Sequence, residues 1–232
     1  TSSMEARATG VMRDYSLAVP DEPAPSLLDG YGIRCRSDVE LPAFRGAPRP
    51  ASRTIAFFAS EPHGLPRIRL DLELRSIQDV VSILHLEQCW ATRVPDFMGA
   101  LLSTCPLIVH VSGHSINGEF LFEHDLHNAG TIAACRPLAR TLTAFRNYVS
   151  CVVLMFGDSI RVARMLDDVL DCVIAVQGQA PDDACAKFSE GFYQLVNDGR
   201  PYRIALQAGQ ALTSASRDAF VVFGRNLDAT AR

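Results

Sequence analysis

The sequence predicts an α/β fold: a mostly parallel sheet flanked by helices on both faces. Three observations predict it. The runs 54–60, 107–111, 151–156 and 171–176 are apolar without alternation, as strands buried on both faces are. Stretches of helical period lie between them. Two of the runs stop abruptly at small polar turns, Ser112-Gly113-His114-Ser115 and Gly157-Asp158-Ser159. Parallel strands ending side by side at such turns are where an open α/β sheet places its site.

Composition bounds the answer. The 232 residues are 48% hydrophobic and 21% charged, which suits one large domain, or one domain with an appendage. A net charge of -4 argues against nucleic acid as a partner, since phosphate binding wants a basic face. No run approaches the roughly 18 apolar residues of a membrane span, and no signal peptide is evident. Thr1-Ser2-Ser3 ahead of Met4 reads as a remnant before the natural start. The cysteines, at 35, 89, 105, 135, 151, 172 and 185, are odd in number and never spaced as CxxC. The expectation is a reduced, cytoplasmic protein without disulfides, metal or cofactor.

Residues 1–53 are expected to be a proline-rich N-terminal extension, and 54–232 the domain. Within the extension, Val11–Val19 and Tyr31–Arg36 are short strand candidates among Pro20, Pro23, Pro25, Pro42, Pro48 and Pro50. The first core strand is Thr54–Ser60, followed by a loop through Pro62 and Pro66. Leu70, Leu74, Ile77, Val80, Val81 and Leu84 then fall on one helical face, with Asp71, Glu73, Arg75 and Asp79 on the other. His85–Trp90 reads as a short strand. Pro95-Asp96 opens a helix with Phe97, Ala100 and Leu101 inward, and the strand Leu107–Val111 follows. Asn117-Gly118 is a turn signal, with a small hairpin through Glu119–Glu123.

Pro137 can start a helix carrying Leu138, Leu142 and Phe145. After the strand Cys151–Phe156, a helix from Ser159 to about Asp168 turns Ile160, Ala163 and Leu166 inward, with Ser159 as its cap. Asp171–Val176 is a further strand. Asp182-Asp183 caps a helix through Phe188, Phe192, Leu195 and Val196, closed by Asn197-Asp198-Gly199. A helix over Arg203–Leu212 and a strand Phe220–Gly224 complete the chain.

Several segments carry a resemblance. Ile55–Ser60 with Pro62–Arg69, the run Val109-His110-Val111-Ser112-Gly113-His114, the hairpin Gly118–Glu123, Asp171–Ala175 with Asp182-Asp183-Ala184, and Phe188-Ser189, Gly191-Phe192-Tyr193 and Gly199 come in one order. From Thr54 to Gly209 the chain resembles the CHAT domain, a bacterial caspase-like module of the separase and caspase clan. The resemblance implies a caspase-like α/β fold. It also implies a site in which the SGH histidine, His114, manages a proton and a cysteine attacks a carbonyl, with backbone N–H groups for the oxyanion.

The nucleophile does not carry over. Met155-Phe156-Gly157 stands against the family's "NAC", so Gly157 occupies the cysteine position and Phe156 replaces a small alanine. Ser115 stands where glycine usually follows the histidine. The expectation is a pseudo-protease acting as a binding or regulatory module, with a protein or peptide partner. His114 and Asp158 are the candidate acid–base residues. Gly113, Ser115, Met155, Phe156, Gly157 and Ser159 are the candidate ligand-binding residues, since the old cleft can also take a small molecule. Two alternatives stay open: a repurposed small-molecule enzyme using His114, and a cysteine peptidase with Cys135 as an unconventional nucleophile. The cluster Glu123-His124-Asp125-His127 has metal-ligand residue types but reads as a solvated loop.

Overall fold

The computed structural model describes residues 52–62, 65–116, 118–123 and 136–231. The first strand, β1 (Ser52–Ser60), is followed by α1 (Leu70–Val80), β2 (His85–Cys89), α2 (Val94–Thr104) and β3 (Pro106–Gly113). A small hairpin, β4 (Ser115–Ile116) and β5 (Glu119–Phe120), precedes α3 (Arg136–Ala144) and β6 (Cys151–Met155). Then come α4 (Ile160–Leu166), β7 (Cys172–Val176), α5 (Asp182–Asn197), α6 (Tyr202–Leu212) and β8 (Phe220–Phe223).

Six strands form one sheet in the order β2-β1-β3-β6-β7-β8. Every pairing is parallel except β7 with β8. The expected α/β architecture is therefore present, with one antiparallel strand at an edge. Parallel neighbours need crossovers, and the helices supply them. Ile55, Phe57, Ala59, Ile108, Val153 and Ile174 face α1, α5 and α6; Ala56, Phe58, Val109, Val111, Val152 and Leu154 face α2, α3 and α4. Side chains of successive strand residues alternate between these two layers, which is why the strands read as unbroken apolar runs.

The strand order reverses between β1 and β3: the chain leaves β1 toward β2, then returns past it to β3 and onward to β8. The crevice outside the carboxyl ends of β1 and β3, where Ser60 and Gly113 pair, is the topological switch point.

Several local expectations are corrected. Helix α1 ends at Val80, and Val81 is already extended (φ -94°, ψ 119°). Its stripe contains Glu73, which is fully buried rather than on the polar face. In α4 the inward residues are Val162, Ala163 and Leu166, while Ile160 is only half-buried. Neither Ser159 nor Asp182 caps the helix that follows it. The Asp182 carboxylate instead accepts from the backbone N–H of Arg69 at 2.8 Å, tying α5 to the start of α1. Helix α5 does close at Gly199, in the left-handed region (φ 70°), with its N–H donating to the Val196 carbonyl. Gly191 and Gly209 let α5 and α6 touch: a Cβ on Gly191 would meet the Ala208 backbone, and one on Gly209 would meet Phe188.

The N-terminal extension lies outside the described residues, apart from its last two, Ser52 and Arg53, which begin β1. No helix among the described residues is long and apolar enough to cross a membrane.

Candidate functional site

The two turns of interest lie at the carboxyl ends of adjacent strands. β3 and β6 run in register from Ile108 opposite Cys151 to Ser112 opposite Met155. His114 follows β3 directly, and Gly157 follows β6 after Phe156. Gly113 is required sterically: a Cβ there would collide with the Ser60 carbonyl oxygen and with the Phe120 ring. His114 is 1% exposed, and its carbonyl accepts from the Leu121 N–H at 3.0 Å.

The hairpin β4–β5 folds over the Gly157 turn at three points. The Ser115 hydroxyl donates to the Gly157 carbonyl at 2.8 Å, out of contact with water. The Phe120 ring lies against Phe156, centroids 5.3 Å apart. Gly118 (φ 74°) sits so close to the Asp158 carbonyl that a Cβ would overlap it. Aromatic pairs of this kind and a buried hydroxyl–carbonyl bond each add stability beyond area burial. The position that the resemblance gives to a thiolate is thus backbone, buried and hydrogen-bonded.

The other predicted residues are placed as follows. Met155 points into the core beneath α5, and Phe156 into the opposite core with Phe120 and Leu166. Both side chains are fully buried. Ser159 joins the ends of β6 and β7: its hydroxyl donates to the Leu154 carbonyl at 2.9 Å and accepts from the Val176 N–H at 2.8 Å. That duty is why it does not cap α4. Asp158 takes a left-handed backbone (φ 52°), a region aspartate tolerates better than most residues. Its Oδ1 accepts from the Gly178 N–H, and its own N–H donates to the Gly178 carbonyl, both at 2.8 Å. This two-point clasp holds the β6–α4 turn to the end of β7.

The structure brings Gly113, His114 and Gly157 to one edge of the sheet, where Ser115 of the hairpin bonds to Gly157. It commits Asp158 and Ser159 to the β7 side. Cys151 lies at the far end of β6, paired with Cys172, and burial pushes its thiol well above the ordinary range. Cys135 and residues 124–127 lie outside the described residues. Glu123 is bonded to the chain around it, its Oε1 accepting from the Glu61 N–H at 2.9 Å and its N–H donating to the Thr92 carbonyl. Among the described residues no group of three His, Cys, Asp or Glu is arranged to hold a metal ion.

A second cluster was missed by sequence reasoning. On the α1/α5 face of β3, Glu73, His110, Ser112, Ser189 and Tyr193 meet, all fully buried. Glu73 Oε1 contacts His110 Nε2 at 3.1 Å and accepts from the Ser189 hydroxyl at 3.2 Å. Its Oε2 accepts from the Ser112 hydroxyl. His110 Nδ1 lies 3.0 Å from the Tyr193 hydroxyl, and the ring stacks on Phe57 with centroids 4.9 Å apart. Burial, with Cys151 and Glu73 nearby, pushes the Tyr193 hydroxyl well above the ordinary phenol range, so it stays protonated. Two signals pointed to the cluster. Glu73 falls in the stripe of Leu70, Leu74 and Ile77, and His110 and Ser112 interrupt an apolar strand with one parity. A polar group on a buried face must find partners.

Compared with known protein families, the chain matches no family model, and it matches none of the curated proteins.

Proposed function

We propose that this protein is a CHAT-like, caspase-fold pseudo-protease, a binding or regulatory module whose site no longer carries a cysteine nucleophile. One observation carries the reading. The turn at the end of β6, beside the His114 turn, presents Gly157, whose carbonyl is bonded to Ser115 and roofed by the hairpin. Thiolate attack on a carbonyl needs a nucleophile within hydrogen-bond reach of its base, and a space for the reacting atom. Phe156 against Phe120 fills the volume beside that position. The commitment of Asp158 Oδ1 to Gly178 leaves the acid–base alternative without added support.

The partner class in this reading is a protein or peptide, met at the surface of the hairpin and the adjoining turns. Peptide substrates and cysteine-directed inhibitors test it. No turnover and no covalent labelling at this edge are expected, and an acyl-enzyme burst would overturn the reading.

A further inference from the structure

Ser112 is the last residue of β3 paired on both sides, to Ala59 and to Met155; Gly113 beyond it pairs only with Ser60. The backbone begins to leave the sheet at the residue whose hydroxyl donates to Glu73. The His110 ring bridges α5 and α1, with Nδ1 3.0 Å from the Tyr193 hydroxyl and Nε2 3.1 Å from Glu73 Oε1. One carboxyl group from α1 thus meets β3 twice, at His110 and at the Ser112 hydroxyl that donates to it, and α5 once, through the donating Ser189 hydroxyl. The contact nearest the turn is Ser112, immediately before Gly113-His114.

We propose that Glu73 is a positioning residue for the His114 turn, acting through the Ser112 hydroxyl, which pins the end of β3 to α1 and α5. This holds whether or not the turn binds a partner, and its test uses no ligand. The Leu121 amide donates to the His114 carbonyl, so its hydrogen exchange reads the turn directly. Ser112→Ala and Ser189→Ala each delete one hydroxyl donor to the same carboxylate.

Loss of the Ser112 hydroxyl bond to Glu73 in Ser112→Ala should speed Leu121 exchange on the order of tenfold or more, relative to amides in β7. Ser189→Ala should leave Leu121 within about twofold of the parent on the same scale, its effect staying in α5. Equal acceleration by both variants, or none by Ser112→Ala, overturns the proposal. Should Ser112→Ala fail to fold, Glu73→Gln keeps the size and one acceptor oxygen of the side chain. Faster Leu121 exchange in that variant then supports the proposal, and an unchanged rate overturns it.

Discussion

His110 and His114 belong to one segment of chain, yet the protein treats them differently. His110 sits in the middle of β3 with both ring nitrogens bonded inside the α1/α5 layer, to Glu73 and Tyr193. His114 sits just past the strand, in a turn held by its own backbone and by the hairpin. The carboxylate–imidazole–hydroxyl chain through His110 has the residue types of a proton relay, but it is sealed and serves the fold. The turn at His114 lies at the carboxyl end of β3, and in the proposed reading it is the site that has lost its nucleophile. Residue chemistry and location, which coincide in an active site, are here separated onto two histidines of one segment, one inside β3 and one just past it.

The largest effect should come from emptying the sealed cluster. Glu73→Ala removes the acceptor shared by His110, Ser112 and Ser189 and leaves buried donors unpaired, at a cost of about 3–5 kcal/mol. Urea unfolding measures it. A loss below about 1 kcal/mol would mean the cluster is not the anchor it looks like. On the turn side, Phe156→Ala deletes a fully buried ring from the contact with Phe120 and should cost about 3–5 kcal/mol by the same measurement. If the ring instead lines an open cleft, the loss will be far smaller.

Gly113→Ala comes next, at about 1–3 kcal/mol, because the added methyl would collide with the Ser60 backbone and force the two strand ends apart. Amide shifts in Ser60 and Leu121 would locate the strain at the switch point, and unchanged shifts there would refute it.

Alkaline titration sharpens the contrast from the sealed side. Burial raises the Tyr193 and Tyr202 hydroxyls and the Cys151 thiol in the folded state. Their contribution is whole below the pH at which the unfolded chain titrates, about 8.5–10. It is lost as pH rises from there toward the folded values, at roughly 1.4 kcal/mol per group per pH unit. Unfolding midpoints should fall between pH 8 and about 11.5, and Tyr193→Phe should reduce the slope by one group only above about pH 10, where an unfolded tyrosine titrates. Ser115→Ala is expected to cost only about 0.5–1.5 kcal/mol, the worth of one neutral hydrogen bond, with the change confined to the hairpin.

Much of this was legible in the chain. The unbroken apolar runs located β1, β3, β6 and β7, because strands buried on both faces have no polar side to alternate with. Gly118 and Gly199 marked turns that do need positive φ. Ser159 and Asp182 misled, since a serine or aspartate ahead of a helix is an N-cap by pattern, and only distant partners, Val176 and Arg69, reveal otherwise. Glu73 misled for the same reason: a charge on a helix is read as solvated until a buried partner appears.

The sequence by itself determined the layered α/β order, the turn after β3 with its histidine, and the glycine in the turn after β6, because these depend on local pattern and residue identity. Only the tertiary structure decided which histidine is sealed, that the hairpin closes over Gly157, and that Asp158 and Ser159 serve β7. Those outcomes rest on hydrogen bonds between residues far apart in the chain, and a linear pattern does not record which distant donor a buried acceptor will meet.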